Sequence, residues 1–311
     1  MTRVFRDYDQ KALDAAYDQS VYAPNRDQLL ARRDANSRLA RQRLGEPLRL
    51  AYGEGRNEQL DVYRASAGSP IHVYVHGGAW RAGRAAEYAA PAEMLVHAGA
   101  HYVVLDFDNA SDCGGDLFVM AGQVRRAIAW VYRNAERFDG NAQRLHISGT
   151  SSGAHLAAVA ATTDWQRDFG LPGEAVKGYT LCSGMYDLEA PRLSKRASYV
   201  RFTDEMEQAL SPQRHLGRIH APIVLLYGSH ETPEFKRQAE EFGAALAAAG
   251  KALEMVHADG YNHFELAETL ANPYGPMGRA VLGQMGLTLR AGPAAPGGPS
   301  PTSRSRTAHR P

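Results

Sequence analysis

The sequence predicts an α/β protein: a mostly parallel central sheet with helices on both faces and a helical cap. Three features carry that expectation. From residue 71 onward, short apolar runs alternate with stretches of helical periodicity, the pattern of parallel strands buried on both faces and joined by crossover helices. The run Leu145-His146-Ile147-Ser148 passes through Gly149-Thr150-Ser151-Ser152-Gly153 straight into an alanine-rich helical stretch. The run at 71–75 ends in the adjacent glycines Gly77 and Gly78. Sites on parallel sheets lie at the carboxyl ends of the strands, so both glycine-bearing turns are expected at the same end of the molecule.

Composition narrows the classes. The 311 residues are read as one α/β domain with appended segments. With 35 Lys and Arg against 34 Asp and Glu, a net charge of +1 gives no electrostatic footing for nucleic acid or an anionic membrane. No stretch approaches the ~20 apolar residues of a membrane span, and the start has no apolar run, so a soluble, cytoplasmic protein is expected. Two cysteines, Cys113 and Cys182, cannot make a disulfide framework; both are expected as buried packing residues.

In chain order, residues 1–46 read as an N-terminal helical cap segment, with Leu13, Ala16, Tyr17, Leu29, Leu30 and Leu39 on one face. Its arginines, among them Arg32, Arg33, Arg41 and Arg43, are interleaved with Asp27, Asp34 and Glu46, which fits a solvated face rather than a nucleic-acid stripe. Residues 47–290 form the main domain. It starts with half-exposed antiparallel strands at 48–52 and 59–63. Core strands are expected at 71–75, 102–107, from Leu145, and at 178–183, 222–227 and 253–256, with helices at 117–138, from Ser152, and at 234–249. Residues 186–219 break the rhythm with Pro191, Pro212 and the basic cluster Arg192, Lys195 and Arg196; they read as an inserted cap over the site. Residues 291–311, rich in Pro, Gly and Ser, are expected to be disordered.

The chemistry follows from the turns. A serine between two glycines, on a sharp strand-to-helix turn, presents its hydroxyl at a helix N-terminus, where the next N–H can bind an oxyanion. With 30 glycines in the chain, an ordinary serine in a glycine turn is the alternative; the strand before and helix after favour Ser151 as nucleophile and Ser152 as an oxyanion donor. Gly77 and Gly78 are expected to bring the remaining bare N–H groups. The hydroxyl needs a base held by a carboxylate. Of 12 histidines, His263 lies after the last strand and before a helix, at the right end of the sheet. His76 is expected to brace the glycine loop, His155 to be a packed or hydrogen-bonded helix residue, and His257 has no special context. The acid should follow the strand at 222–227; Glu231 is preferred to Glu234, which sits where a carboxylate suits a helix start. No Cys-x-x-Cys pair occurs, and neither a metal nor a cofactor is expected.

These segments give the chain a family likeness. His76-Gly77-Gly78-Ala79-Trp80, the helix around Gln123-Val124-Arg125-Arg126, the elbow from Arg144 to Leu156, Ser183-Gly184-Met185-Tyr186-Asp187, Glu231-Thr232-Pro233-Glu234-Phe235 and Asn262-His263-Phe264 occur in the family's order. Over roughly residues 45–285 the chain resembles the arylformamidase (kynurenine formamidase) branch of the α/β-hydrolases, near the hormone-sensitive-lipase-like esterases. The resemblance implies an α/β-hydrolase fold and a serine hydrolase with Ser151, Glu231 and His263 as triad, Gly77, Gly78 and Ser152 at the oxyanion, and Trp80 and Tyr186 against substrate. It implies removal of a small acyl group from an aryl amide or ester, with N-formylkynurenine-like compounds favoured. A short-chain carboxylesterase, or a non-catalytic small-molecule-binding protein of the same fold, are the alternatives, and a homodimer is left open.

Overall fold

In a computed structural model that describes residues 2–289, eight strands form one sheet in the order β1-β2-β4-β3-β5-β6-β7-β8. They are β1 (Leu48–Ala51), β2 (Gln59–Tyr63), β3 (Ser69–Val75), β4 (His101–Leu105), β5 (Gly140–Thr150), β6 (Val176–Cys182), β7 (Ile223–His230) and β8 (Leu253–Asn262). β2 runs antiparallel to both β1 and β4, and all other neighbouring pairs are parallel. Side-chain alternation along β3 divides the core into two layers. Ile71, Val73 and Val75 join the cluster that includes the helices Leu117–Arg133 and Ser152–Ala161; Tyr74 joins Tyr102, Val104 and the helices Pro91–His97 and Pro276–Met285. Burial on both faces is why β3 and β4 are buried along their whole length. Ile71→Ala in this layer would cost about 2–5 kcal/mol.

Because β3 to β8 are parallel, the turns after β3, β5, β6, β7 and β8 emerge on one edge. Those turns begin at His76, Ser151, Ser183, Glu231 and His263. The N-terminal segment, a helix Gln10–Ala16, a 3-10 turn Gln19–Tyr22 and a helix Arg26–Leu44, packs over this edge. Tyr17 meets Phe235 edge-on at 5.8 Å, and Asn25 donates to Glu265 at 2.7 Å. The segment at 186–219 forms short helical turns and no strand, Glu189–Leu193, Lys195–Ser198, Asp204–Ala209 and Pro212–Arg218. No helix among the described residues is long and apolar enough to cross a membrane.

Several expectations are corrected. β2 is buried from Leu60 to Tyr63 rather than half exposed, since β1 and β4 flank it; of these first two strands only β1, at the sheet edge, is largely exposed. Leu39 is 42% exposed, and the helix Arg26–Leu44 buries Leu29, Ser37 and Ala40 instead. Cys182 is buried, but Cys113 is only half-buried, its thiol donating to the carbonyls of Asn109 and Asp116, both at 3.3 Å. The helix expected over 117–138 is an α-helix to Arg133 followed by a 3-10 turn, Ala135–Phe138. Residues 291–311 lie outside the described residues.

Candidate active site

The serine turn is built by close approach. Val75 at the end of β3 pairs with Gly149 at the end of β5. A Cβ on Gly153 would stand 2.1 Å from the Val75 carbonyl oxygen and 2.4 Å from that of His76, so a side chain there would drive the following helix off β3. Ser151 has φ 55° and ψ −125°, a conformation that L-residues other than glycine rarely hold. Its N–H donates to the Cys182 carbonyl at 2.8 Å, which ties the strained residue to β6. On the other side a Cβ on Gly77 would lie 2.8 Å from the Thr150 carbonyl oxygen and 3.1 Å from Ser151 Cβ, so bare backbone abuts the serine. Among the described residues, the N–H groups of Gly77, Gly78 and Ser152 have no hydrogen-bond partner. They are unspent donors at the serine turn, where an oxyanion would need them.

The glycine loop is held from behind. His76 is buried between Phe107 and Tyr88, with ring centroids at 4.3 and 5.4 Å. Burial lowers its pKa to about 4, so the ring is neutral at pH 7, and its Nδ1–H donates to the Gly77 carbonyl at 2.9 Å. Trp80 sits at φ 63°, donates its backbone N–H to Ser152 Oγ at 3.1 Å, and turns its indole inward to donate to His155 Nδ1 at 3.3 Å. The other nitrogen of His155 donates to the Leu210 carbonyl at 2.8 Å, and burial lowers this histidine to about 4 as well. Trp80 is therefore a strut between loop, elbow helix and inserted segment. It is 1% exposed and does not line the cavity, which corrects its expected place against substrate. Tyr186 is corrected likewise. Gln238 Oε1 accepts the N–H groups of Tyr186 and Asp187 at 2.8 and 3.0 Å, the Tyr186 ring stacks on Phe242 at 4.4 Å, and its hydroxyl accepts the Gly184 N–H.

Glu231 and His263 meet across the ends of β7 and β8, where His230 pairs with Asn262. His263 Nδ1 donates to Glu231 Oε2 at 2.8 Å, with the carboxylate wholly buried and the imidazole 7% exposed. Three further donors converge on that carboxylate: Ser183 Oγ at 2.5 Å and the Gly228 N–H at 2.9 Å on Oε1, and Gln19 Nε2 at 3.1 Å on Oε2. The buried charge is thereby fully hydrogen-bonded, which fixes the imidazole with its proton on Nδ1 and Nε2 free to accept. Glu234 is occupied elsewhere, by Arg237 and by the Tyr17 hydroxyl at 3.2 Å. Asn262 caps the His263 helix in a capping box with Glu265, and its side chain is bound by Asn25 at 2.9 Å. Gln19, Asn25 and Ser183 were not singled out from the sequence. Gln19 lies 212 residues from the acid it touches, and no local pattern announces such a contact.

Ser151 and His263 line one cavity of about 650 Å³ together with Gly77 and Gly78. Its far walls come from the N-terminal segment, through Tyr17 and Leu29, and from the inserted segment, through Arg196 and Tyr199. No hydrogen bond joins the Ser151 and His263 side chains among the described residues; such contacts are often long before substrate binds. No cluster of metal-ligating side chains occurs among the described residues.

Fold and site define an enzyme class, the serine-hydrolase type of α/β-hydrolase. Esterase LipW from Mycobacterium marinum superposes with a TM-score of 0.65 at 18% identity, over 87% of this chain and 89% of that one, a likeness of fold. A family model described as BD-FAE matches residues 60–182. A kynurenine formamidase from Danio rerio is 34% identical over 230 residues, 71% of this chain and 75% of that protein. One from Salmo salar is 33% identical over 249 residues, 77% and 82% of the two chains. The chain belongs to the kynurenine formamidase family of α/β-hydrolases.

Proposed function

We propose that this enzyme removes the formyl group from an aryl formamide of the N-formylkynurenine type, with Ser151 as nucleophile, His263 as general base and Glu231 as its orienting acid. The observation that carries the reading is the buried Glu231–His263 hydrogen bond, which opens through His263 onto the cavity that Ser151 lines. Ser151 Oγ attacks the formyl carbon while His263 Nε2 takes its proton, and the N–H groups of Gly77, Gly78 and Ser152 bind the oxyanion. The C–N bond then breaks as His263 returns the proton to the departing arylamine nitrogen. Water, deprotonated by the same imidazole, attacks the formyl-serine ester; formate leaves and Ser151 regains its proton.

The same parts would hydrolyse a short-chain ester, so the substrate is decided by assay. The purified protein is compared on N-formylkynurenine, simpler aryl formamides and p-nitrophenyl acetate. The expected result is the highest kcat/KM on N-formylkynurenine. A higher value on the acetate, with formamides turned over poorly, would make this a carboxylesterase.

A further inference from the structure

The charges around the cavity are unbalanced. Its three carboxylates each already hold a cation: Asp18 binds Lys195 at 2.8 Å, Glu87 binds Arg33 at 2.8 Å, and Glu268 binds Arg32. In the basic cluster of the inserted segment, Arg192 is likewise paired, with Asp204 and Glu207 at 2.5 and 3.1 Å. Arg196 is different. It lines the cavity, is only 4% exposed, and has no carboxylate partner among the described residues. Its Nη1 donates to the Tyr199 hydroxyl at 2.9 Å, while its Nε is buried without any partner. The guanidinium is gripped by aromatic faces instead, 5.3 Å from the Tyr17 centroid and 5.2 Å from that of Trp80. A second guanidinium lining the cavity, Arg81, stacks over Tyr199 at 4.8 Å, also with no carboxylate partner among the described residues.

Burying an arginine without a counter-charge is costly, and the cost is recovered when a ligand brings the anion. A guanidinium at the cavity wall whose donors are not all spent suits a carboxylate better than a neutral group. We infer that Arg196 is the substrate's carboxylate receptor, with Arg81 adding positive field: the enzyme selects aryl substrates whose amine-derived portion carries a carboxylate. The inference deepens the formamidase reading and rests on it, since a formyl group leaves nowhere else for the anion. A cavity of about 650 Å³ is large enough for an aromatic amino acid derivative.

The test compares N-formylkynurenine with its carboxamide on the wild type, Arg196→Gln and Arg196→Lys, with melting temperatures alongside. The wild type should prefer the acid, and Arg196→Gln should lose about 10- to 100-fold in kcat/KM on the acid, mainly through KM, while changing little on the carboxamide. Arg196→Lys should recover part of the loss. Equal losses on both substrates would make Arg196 a structural strut and overturn the inference. So would a wild type that does not distinguish acid from carboxamide, a result that needs no variant to fold. If the wild type leaves both formamides intact, the formamidase reading fails separately. The comparison then moves to 3-(4-acetoxyphenyl)propanoate and its carboxamide: an acid preference abolished by Arg196→Gln sustains the receptor, and no preference ends it.

Discussion

At the scale of single residues, Ser151 concentrates backbone strain and the donors that an attack would use, and Glu231 concentrates four hydrogen bonds on one buried carboxylate. Two predictions belong here. Ser151→Ala should lower kcat by about 10⁶ with an unchanged melting temperature, because the proposed mechanism routes every turnover through a covalent bond to Ser151. Glu231→Gln should cost about 10⁴ in kcat, since an amide can hold the wrong imidazole tautomer and does not stabilise the imidazolium. Glu234→Gln should leave kcat nearly intact and instead reduce stability, because it leaves Arg237 without its buried partner. Steady-state rates and thermal melts of the three variants decide this; a catalytic loss at Glu234 with none at Glu231 would reverse the roles. These residues could be named as candidates because the chain order of such a triad and its places at strand ends are visible in sequence. Trp80 was misjudged for a physical reason: a left-handed backbone turned its indole to His155, and side-chain direction at such a residue is not encoded by its neighbours.

At the scale of elements, the N-terminal segment acts as a clamp on the acid and histidine turns. Gln19 binds Glu231 and also accepts the Thr232 N–H at 3.2 Å, while Thr232 Oγ1 donates to the Ala16 carbonyl at 2.7 Å. Gln19→Ala should therefore reduce kcat about tenfold with little change in KM, by taking one donor from a buried carboxylate. An unchanged kcat would show that the remaining three bonds suffice to hold it. The sequence showed this segment as helical but not as part of the site, because its contacts with the acid and histidine turns are with residues more than 200 positions away. The ends of β7 and β8 were short in the sequence reading for another reason. Pairing continues through an irregularity between Gly228 and His230 into glycine and polar residues that carry no apolar alternation.

At the scale of the whole molecule, the parallel sheet brings five distant turns to one edge, and the price is a set of histidines buried in its layers. Burial holds His72 at about 3 and both His76 and His155 at about 4, against an ordinary ~6.5 in the unfolded chain. Between those values the unfolded chain binds more protons than the folded one, so folding stability rises with pH across that window. Stability from these groups is complete above ~6.5 and is lost as pH falls from there towards ~4. The melting temperature should accordingly decline between pH 7 and pH 5, and a flat profile over that range would contradict the burial of these rings as neutral groups.

The nucleophile assignment is tested most directly by intact-protein and peptide mass spectrometry after treatment with phenylmethanesulfonyl fluoride. If Ser151 is the activated serine, one sulfonyl group is added, activity is lost in step with it, the modified peptide carries it on Ser151, and Ser151→Ala takes up none. Stoichiometric modification of a different serine with the same loss of activity, or full activity in a protein sulfonylated at Ser151, would contradict it.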